Sequence, residues 1–486
     1  MASIPKILLP SFKAIEAFSR IEDLTVEELS FVPGNNVLVK RERKMTFEFS
    51  TKLTKEINVA YESEIGKLTL KKGAQTYCVP EHHSYFASSL QFNPYGEQEF
   101  IININEIYDT AINLDGEYYW RCIQPIDREN WIHHIRTFAY ESENHHFNGG
   151  LLCVNFPQGE VHSYPVKWGD QLYLVTDCLA PVKIKDIRAM AYSVCLGLGL
   201  LLGTVHLNEM IVVASNTPDH NAPIGIHYSS IRESIKSNYL VFTTNMYSLE
   251  VAFRINGNEN ARKKLLKADG EVDANRVDWL YMDFFERLVL SLYNSSPLSR
   301  ATSIVIEAST QPLEYQAALF CVAFETITTV LKDQKDQEAI TPVDNKIYKK
   351  HIRPELLSVI KQKFDEGYLD EDGERILRLR VLSSLNGLAN AGKLSTPFED
   401  FGYKLSDLEN LAIDQRNPLL HGSFLKVATS LEEEWKGFIF TSTMLHRLCC
   451  ILLLKNAGFD SFLVNNALLY GIKEVVDADE DVLIKI

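Results

Sequence analysis

Hydrophobic and polar residues alternate in short runs through the first half of the chain. The runs are rich in β-branched and aromatic residues, with Gly, Pro and Asn between them: KMTFEFSTKL, KLTLKKG, EFIININ, GLLCVNF and DQLYLVTD. A two-residue period is typical of strands that bury one face. Further strand-like runs, EMIVVASN and YLVFTTN, occur before residue 246. The pattern predicts a β-rich N-terminal domain over residues 1–245, arranged as a sandwich.

One long apolar segment interrupts the strand pattern. Residues 189–207, AMAYSVCLGLGLLLGTVHL, contain no Asp, Glu, Lys or Arg. A membrane-spanning helix needs about 20 apolar residues, so the length is borderline. The three glycines and the strand-like run that follows favour a buried helix on a sheet, and we expect no membrane span. Gly197, Gly199 and Gly203 lack the G-x-G-x-x-G spacing and lie inside the predicted helix, which argues against dinucleotide binding.

The period becomes helical from about residue 276. After Pro312, apolar residues recur at alternating spacings of four and three and so share one helix face: Leu313, Ala317, Phe320, Phe324, Ile327 and Leu331. Further helices are predicted at 278–293, 297–309, 346–365, 372–391, 405–424, 431–456 and 461–473. The fold class is therefore α+β, with a β-rich domain followed by an all-α domain over residues 276–486.

Two polar segments complete the predicted organisation. Residues 257–275, GNENARKKLLKADGEVDAN, are the predicted connector between the two domains. The acidic segment VVDADEDV near the C-terminus is predicted to be a solvated end.

Composition restricts the classes of partner and site. The chain has 486 residues and a formal net charge of −15, so a nucleic-acid site would be a local basic patch. The eight cysteines form no C-x-x-C pair, which argues against a structural zinc site or a disulfide framework. The first residues lack a signal-peptide layout. We therefore expect a cytoplasmic protein.

The stretch IDQRNPLLHGSFL, residues 413–425, places Arg416 and His421 five positions apart, with Asn417 and Pro418 between them. In one interpretation, Asn417 caps a helix that starts at Pro418, Arg416 lies on the surface and His421 lies in the core. In the other, a kink at Pro418 brings the two side chains together. Arg offers a planar fork of donors for a phosphate, and His exchanges a proton near neutral pH. Metal-free RNA cleavage requires those two groups.

The segment RNPLLHG, followed by the apolar MLHRLCCILLLKNAGFD, resembles the HEPN superfamily and its Apea-like branch. The signature of that family is Arg, a polar residue, a few further residues and His, and Arg416, Asn417 and His421 occupy those places. The helix LEYQAALFCVAFETITTVL is similar to the first helix of the family, and Glu325 falls at its recurring acidic position. The resemblance covers about 278–473.

The resemblance implies an all-α bundle that usually dimerises. Many members are metal-independent endoribonucleases of toxin or antiviral-defence systems, and some are inactive binding modules. We therefore expect Arg416, His421, Asn417 and Glu325 to form a catalytic site for RNA. A carboxylate beside Arg416 would hold the guanidinium in place and offset its charge. The alternative for Glu325 is an exposed residue beside a hydrophobic stripe.

A basic segment, NKIYKKHIRPELLSVIKQK at 345–363, is a candidate RNA-backbone surface. We expect Lys346, Lys349, Lys350 and Arg353 to contact phosphates and Tyr348 to stack on a base. The alternative is a solvated helix face.

We expect no metal and no cofactor. Histidine occurs in three adjacent pairs, His82–His83, His133–His134 and His145–His146. Adjacent residues on a strand point to opposite faces, so neither member of a pair helps the other to hold one ion. These pairs are interpreted as polar surface positions.

Two functions follow from these patterns. The first is a HEPN-type endoribonuclease, an effector of toxin or abortive-infection type in antiviral defence. Its N-terminal domain would sense an unknown ligand or trigger. The second is a catalytically silent HEPN binding or scaffold protein. A single Arg–His pair provides no acid for the leaving group, so we expect a homodimer in which a second copy of the pair supplies it.

Overall fold

The computed structural model of the chain describes most of the sequence in segments. These segments are 8–29, 32–33, 35–41, 44–52, 64–87, 97–126, 135–136, 138–142, 145–207, 209–230, 232–241, 279–334, 343–383, 385–386, 390–420 and 431–486. The predicted connector, 257–275, lies outside the described residues.

The fold is α+β, as predicted, with antiparallel sheets in the N-terminal half and helices in the C-terminal half. The chain forms two compact units. The first contains the described residues up to 241 together with residues 279–299, and the second contains those from 300 to 486. The first helix after residue 276 therefore belongs to the first unit, whereas the sequence boundary assigned it to the helical domain.

The first unit is built mainly from short strands. In chain order they are β1 Arg20–Glu22, β2 Thr25–Val26, β3 Asn36–Arg41, β4 Lys44–Lys52, β5 Leu68–Lys72, β6 Gln75–Val79, β7 Ser84–Ala87, β8 Glu97–Ile104, β9 Glu106–Asp109, β10 Glu117–Ile126, β11 Ile135–Arg136, β12 Phe138–Ser142, β13 His145–Phe156, β14 Gly159–Trp168, β15 Gln171–Cys178, β16 Val182–Lys183, β17 Thr204–Val205, β18 Glu209–Ser215, β19 Pro223–Ser230, β20 Ile235–Lys236 and β21 Leu280–Tyr281.

Two antiparallel sheets contain most of these strands. Within the described part of the chain, one sheet has five strands in the order β1-β3-β4-β8-β7. The other has twelve: β12-β13-β14-β15-β10-β18-β19-β9-β6-β5-β2, with β16 paired to β10. One hydrophobic core contains side chains from both sheets, including Phe47 of the first and Val213 of the second. Strands with an alternating apolar and polar pattern bury one face here, because the two sheets share a single core. Residues 239–241, the described part of YLVFTTN, are not a strand, so that prediction is wrong there.

Among the described residues of the first unit, three helices accompany the sheets: α1 Leu9–Phe18, α2 Ile184–Leu202 and α3 Met282–Asn294. Helix α2 is the long apolar segment, and most of its residues are buried. It packs against β10 and α3, and α3 also packs on β13. Gly203 ends α2 in the left-handed conformation, with φ of +75°. This backbone conformation favours glycine, and a Cβ atom there would also displace the side chain of Leu240.

Helices dominate the second unit and continue the chain order. They are α4 Ser296–Ala308, within which the division between the units falls, α5 Leu313–Asp333, α6 Asn345–Ile347, α7 Arg353–Asp365, α8 Glu371–Ser383, α9 Asn390–Asp400, α10 Asp407–Leu420, α11 Leu431–Asn456, α12 Asn466–Leu469 and α13 Lys473–Asp477. A π-helical turn, Tyr348–Ile352, joins α6 to α7. Helices α9, α10 and α11 all pack against α5.

Two predicted helices of this unit are wrong. The helix predicted at 372–391 is two helices, α8 and α9. Between them Asn386 is buried and exchanges hydrogen bonds with the backbone of Val343, at 2.8 and 3.1 Å. Such side-chain bonds compete with helix formation. The helix predicted at 461–473 begins instead as a strand, β22 Phe462–Val464, which pairs with β23 Leu483–Lys485.

The acidic C-terminal segment was predicted to be a solvated end, and this is only partly right: Asp477, Asp479 and Asp481 are exposed, but the segment is anchored. Val475, Val482 and Leu483 are buried. Glu480 accepts a hydrogen bond from the guanidinium of Arg447 at 2.9 Å. Two of the three valines of this segment are therefore buried, whereas Val476 is 48% exposed. Glu480 is bound by a partner that lies 33 positions earlier in the chain.

One helix among the described residues is long and apolar enough to cross a membrane. It covers 22 residues of α11, Trp435–Asn456, and most of this stretch is buried within the chain. Packing against α5 and α10 accounts for this apolarity, as in the core helix of a folded domain.

Buried His446 on α11 predicts a loss of stability in mild acid. Burial lowers the pKa of His446 from 6.5 to about 4. Between these two pH values the unfolded chain binds a proton that the folded chain does not. Stability therefore decreases as the pH falls through this window, by about 3 kcal/mol in total. We expect the free energy of unfolding of His446→Gln, measured in urea, to lack this part of the pH dependence. An unchanged dependence would contradict the assignment.

Candidate active site

Helix α5 supplies the acidic residue of the candidate site. Its residues Phe320, Phe324 and Ile327 are fully buried, as the spacing of apolar positions predicts. Glu325 follows Phe324 at the edge of this buried face, and its side chain is 37% exposed. The carboxylate therefore lies at the boundary between the core and solvent, where a partner from a neighbouring helix can reach it.

Helix α10 supplies that partner. Ala412, Ile413 and Gln415 are buried, so this side of α10 faces the rest of the unit. Arg416 follows and donates a hydrogen bond from Nε to Oε1 of Glu325, which forms an ion pair between α10 and α5. The ion pair predicted from the sequence is therefore present, and the alternative of an unpartnered exposed Glu325 is wrong.

The ion pair orients Arg416 while leaving part of it accessible. The Arg416 side chain is 14% exposed. The described contact uses Nε, and the two terminal nitrogens of a guanidinium provide the donors that suit a phosphate. Glu325 thus fixes one edge of the guanidinium and offsets its charge when no ligand is bound.

Cys321 lies one turn before Glu325 on α5 and is buried. Burial raises the pKa of its thiol to about 12; Arg416 acts against this shift and Glu325 adds to it. The Cys321 thiol therefore stays protonated at neutral pH and is a core group rather than a nucleophile.

A buried network holds α10 at its other end. Arg447 of α11 donates to Glu409 of α10 at 2.7 Å and to Glu480 at 2.9 Å. The hydroxyl of Tyr403 also donates to Glu409, at 2.7 Å. Burial alone would lower the pKa of Arg447, but Glu409 and Glu480 outweigh it and raise the pKa. This charged network joins α10, α11 and the C-terminal segment, so it sets the position of the helix that carries Arg416.

The rest of the motif is described only in part. The backbone of α10 is helical through Asn417 and Pro418 to Leu420. A helix that starts at Pro418 is therefore excluded, because α10 begins at Asp407. The Asn417 side chain and the whole of His421 lie outside the described residues, so their predicted roles stay predictions.

The basic segment lies on α6, the π-helical turn and α7. Lys346, Lys349 and Lys350 are exposed, and Arg353 is half-buried. Their spacings of three, one and three residues place them along one side of the helical segment. None of the four makes an ion pair with a carboxylate that the structure describes. Their charges are thus accessible, but no described contact connects this surface to Arg416.

Tyr348 is not available for base stacking, contrary to the prediction. Its side chain is buried, and its hydroxyl donates to the carbonyl of Val381 in α8 at 2.7 Å. The ring anchors the π-helical turn to α8. Tyr348 therefore orients the basic residues on either side of it and does not reach solvent.

His82 and His83 lie in a turn before β7 rather than in a strand. His82 Nδ1 lies 2.7 Å from Glu64, whereas His83 Nε2 lies 3.7 Å from Glu106. The two neighbours thus contact different carboxylates. The side chains of the other two pairs lie outside the described residues: 133–134 and 145–146.

No protein-family model, no curated protein and no solved structure matches the chain.

Proposed function

We propose that this chain is a metal-independent endoribonuclease of HEPN type that acts in toxin or antiviral defence. The ion pair between Arg416 and Glu325 is the observation that carries this proposal. It joins two helices whose charged residues are 91 positions apart in sequence, and it orients the guanidinium of the motif arginine.

Each proposed catalytic residue has a distinct role. His421 acts as the general base that takes the proton of a ribose 2′-hydroxyl, which then attacks the adjacent phosphorus. Arg416 stabilises the negative charge that grows on the phosphoryl oxygens. Glu325 positions Arg416, and Asn417 is a further polar group of the motif. Lys346, Lys349, Lys350 and Arg353 bind the RNA backbone through its phosphates.

The first unit is the proposed sensing or regulatory domain, and the protein acts in the cytoplasm. The alternative function is a silent HEPN scaffold that binds RNA or protein without cleaving. The oriented Arg416 favours the nuclease, because a scaffold has no need for a guanidinium held at a motif of this type.

Incubation of the purified chain with total RNA tests the nuclease directly. We expect fragments with and without EDTA, because none of the proposed roles uses a metal ion. Fragments should carry cyclic phosphate ends, since the ribose hydroxyl is the attacking group. Loss of cleavage in EDTA, with recovery on addition of a divalent ion, would contradict the proposed mechanism.

Assembly gives a second test. We expect a homodimer in light scattering, because a second Arg–His pair would supply the acid that protonates the leaving oxygen. Cleavage per chain should decrease on dilution below the dimer dissociation constant. A fully active monomer would refute this part of the proposal.

A further inference from the structure

The hairpin of β13 and β14 brings together three side chains of different chemistry. Its register pairs Cys153 with His162 across the two strands, and Glu160 lies two residues before His162 on the same face. Sγ of Cys153, a carboxylate oxygen of Glu160 and a ring nitrogen of His162 all lie within 4.8 Å of one another. Among the described residues this is the group of thiol, imidazole and carboxylate suited to one metal ion.

The surroundings of the cluster are anionic. Glu286 of α3 lies over the same hairpin, and its Oε1 accepts hydrogen bonds from the backbone and side-chain nitrogens of Asn155, both at 2.8 Å. Glu160 is a member of the cluster itself, and a bound cation would offset the negative charge of the two glutamates.

Burial of the three groups also fits a site that is accessible to an ion. Cys153 is half-buried, the His162 side chain is 22% exposed and the Glu160 side chain is 43% exposed. His162 Nε2 lies 2.8 Å from Glu160 Oε1. This contact already points the imidazole and the carboxylate toward each other. A metal ion would replace the shared proton with two coordinate bonds.

We propose that Cys153, Glu160 and His162 form a zinc site on the β13–β14 hairpin. Sulfur, nitrogen and oxygen together are a donor set that Zn²⁺ accepts, with tetrahedral geometry. Three protein ligands leave one position for water. The Cys153 thiol gives up its proton to solvent when the sulfur–metal bond forms. This site lies in the first unit and is independent of the RNA-cleaving residues, so either proposal stands if the other fails.

Metal titration of the full chain tests the site without any activity assay. Purified protein is stripped with EDTA, desalted and titrated with Zn²⁺ against a chromophoric chelator. We expect tight binding of one equivalent per chain. Titration with Co²⁺ should add a sulfur-to-cobalt charge-transfer band and the intense visible bands of tetrahedral cobalt, because Cys153 is a ligand.

Variants assign the ligands. Cys153→Ser should remove the charge-transfer band, and Glu160→Gln and His162→Gln should weaken zinc binding. We expect the loss to exceed about 100-fold, since groups that only orient ligands already cost about 10- to 100-fold. Glu160 and His162 are partly exposed, so Glu160→Gln and His162→Gln should keep the fold. These two variants therefore test the site even if Cys153→Ser does not fold. Circular dichroism of each metal-free variant checks this.

The matched control is His82→Gln. His82 and Glu64 form a similar His–carboxylate contact at 2.7 Å in the same unit. We expect this variant to bind zinc as tightly as the unmodified chain. The proposal is overturned by zinc binding only at millimolar concentration, by a cobalt spectrum without sulfur ligation, or by equal affinity in the control and the ligand variants.

Discussion

Replacing Arg416 with alanine should abolish RNA cleavage while leaving the stability of the chain almost unchanged. Removal of a group that stabilises developing charge typically costs about 100- to 1,000-fold in rate, and we expect a loss in that range or greater. The ion pair of Arg416 with Glu325 has side chains 14% and 37% exposed. Glu325 is exposed enough to be hydrated once Arg416 is removed, so loss of the pair should cost on the order of 1 kcal/mol. Initial rates on a fluorescent RNA and urea unfolding of the same preparation measure both effects.

The role of Glu325 follows from its contact with Arg416. Glu325→Gln keeps the side-chain volume but removes the charge that orients the guanidinium, so cleavage should decrease without being lost. In an Arg416→Ala background the same change should cost little more, because coupled residues are not additive. Glu314→Gln, an exposed glutamate in the first turn of the same helix, is the matched control. Additive losses at Glu325 and Arg416, or an equal loss at Glu314, would rule out the positioning role.

In contrast to Arg416→Ala, replacing Arg447 with methionine should cause a large loss of stability. The change leaves Glu409, which is fully buried, and Glu480 without their cation. Breaking a buried ion pair from one side costs about 3–5 kcal/mol. For a unit of this size that lowers the midpoint of thermal unfolding by about 10 °C. RNA cleavage by Arg447→Met should therefore be close to normal at low temperature. It should disappear at the higher temperatures at which α10 loses the support of the network.

A surface pair on α8 gives the matched control for Arg447. Arg378 Nη1 lies 3.0 Å from Glu374, with side chains 53% and 19% exposed. Arg378→Met should change stability by less than about 1 kcal/mol. Adding Glu409→Gln to Arg447→Met should recover part of the loss, because it removes one uncompensated charge. Equal midpoints for Arg447→Met and Arg378→Met would contradict the central role of the network.

The parts of the fold with a regular local pattern were predictable from the sequence. Alternating residues identified strands such as β4 and β15, and the spacing of apolar residues identified α5 with its buried face. The position of Glu325 after Phe324, together with the resemblance of the motif, gave its ion pair with Arg416 as one of two alternatives, and the structure shows that pair. The strand and helix predictions succeeded because each depends on a local pattern, whereas the Glu325–Arg416 pair joins residues 91 positions apart and came from the family resemblance.

Features that depend on distant partners were not predictable. The acidic C-terminal segment contains many charged residues, but Arg447 binds Glu480 and β22 pairs with β23 only in the folded unit. Tyr348 lies among lysines in sequence, yet the carbonyl that fixes its hydroxyl belongs to another helix. Local charge therefore gave a wrong prediction of exposure for Tyr348 and did not show that the C-terminal segment is anchored.

The Cys153, Glu160 and His162 cluster was missed because the search considered C-x-x-C spacings and adjacent histidines. In CVNFPQGEVH, a cysteine precedes a turn and a histidine follows it at positions that pair across the hairpin. The register depends on which residues form the turn. A search for Cys and His at equal distances from a predicted turn would have found this cluster.

Cleavage of total RNA by the unmodified chain and by an Arg416→Ala, His421→Ala double variant tests the central claim most directly. Both proteins are purified identically and compared in EDTA by the fragments they release and by their unfolding curves. We predict fragments from the unmodified chain, none from the double variant, and superimposable unfolding curves. Equal cleavage by a folded double variant, or no cleavage by the unmodified chain when it is dimeric, would contradict an RNA-cleaving site at Arg416 and His421.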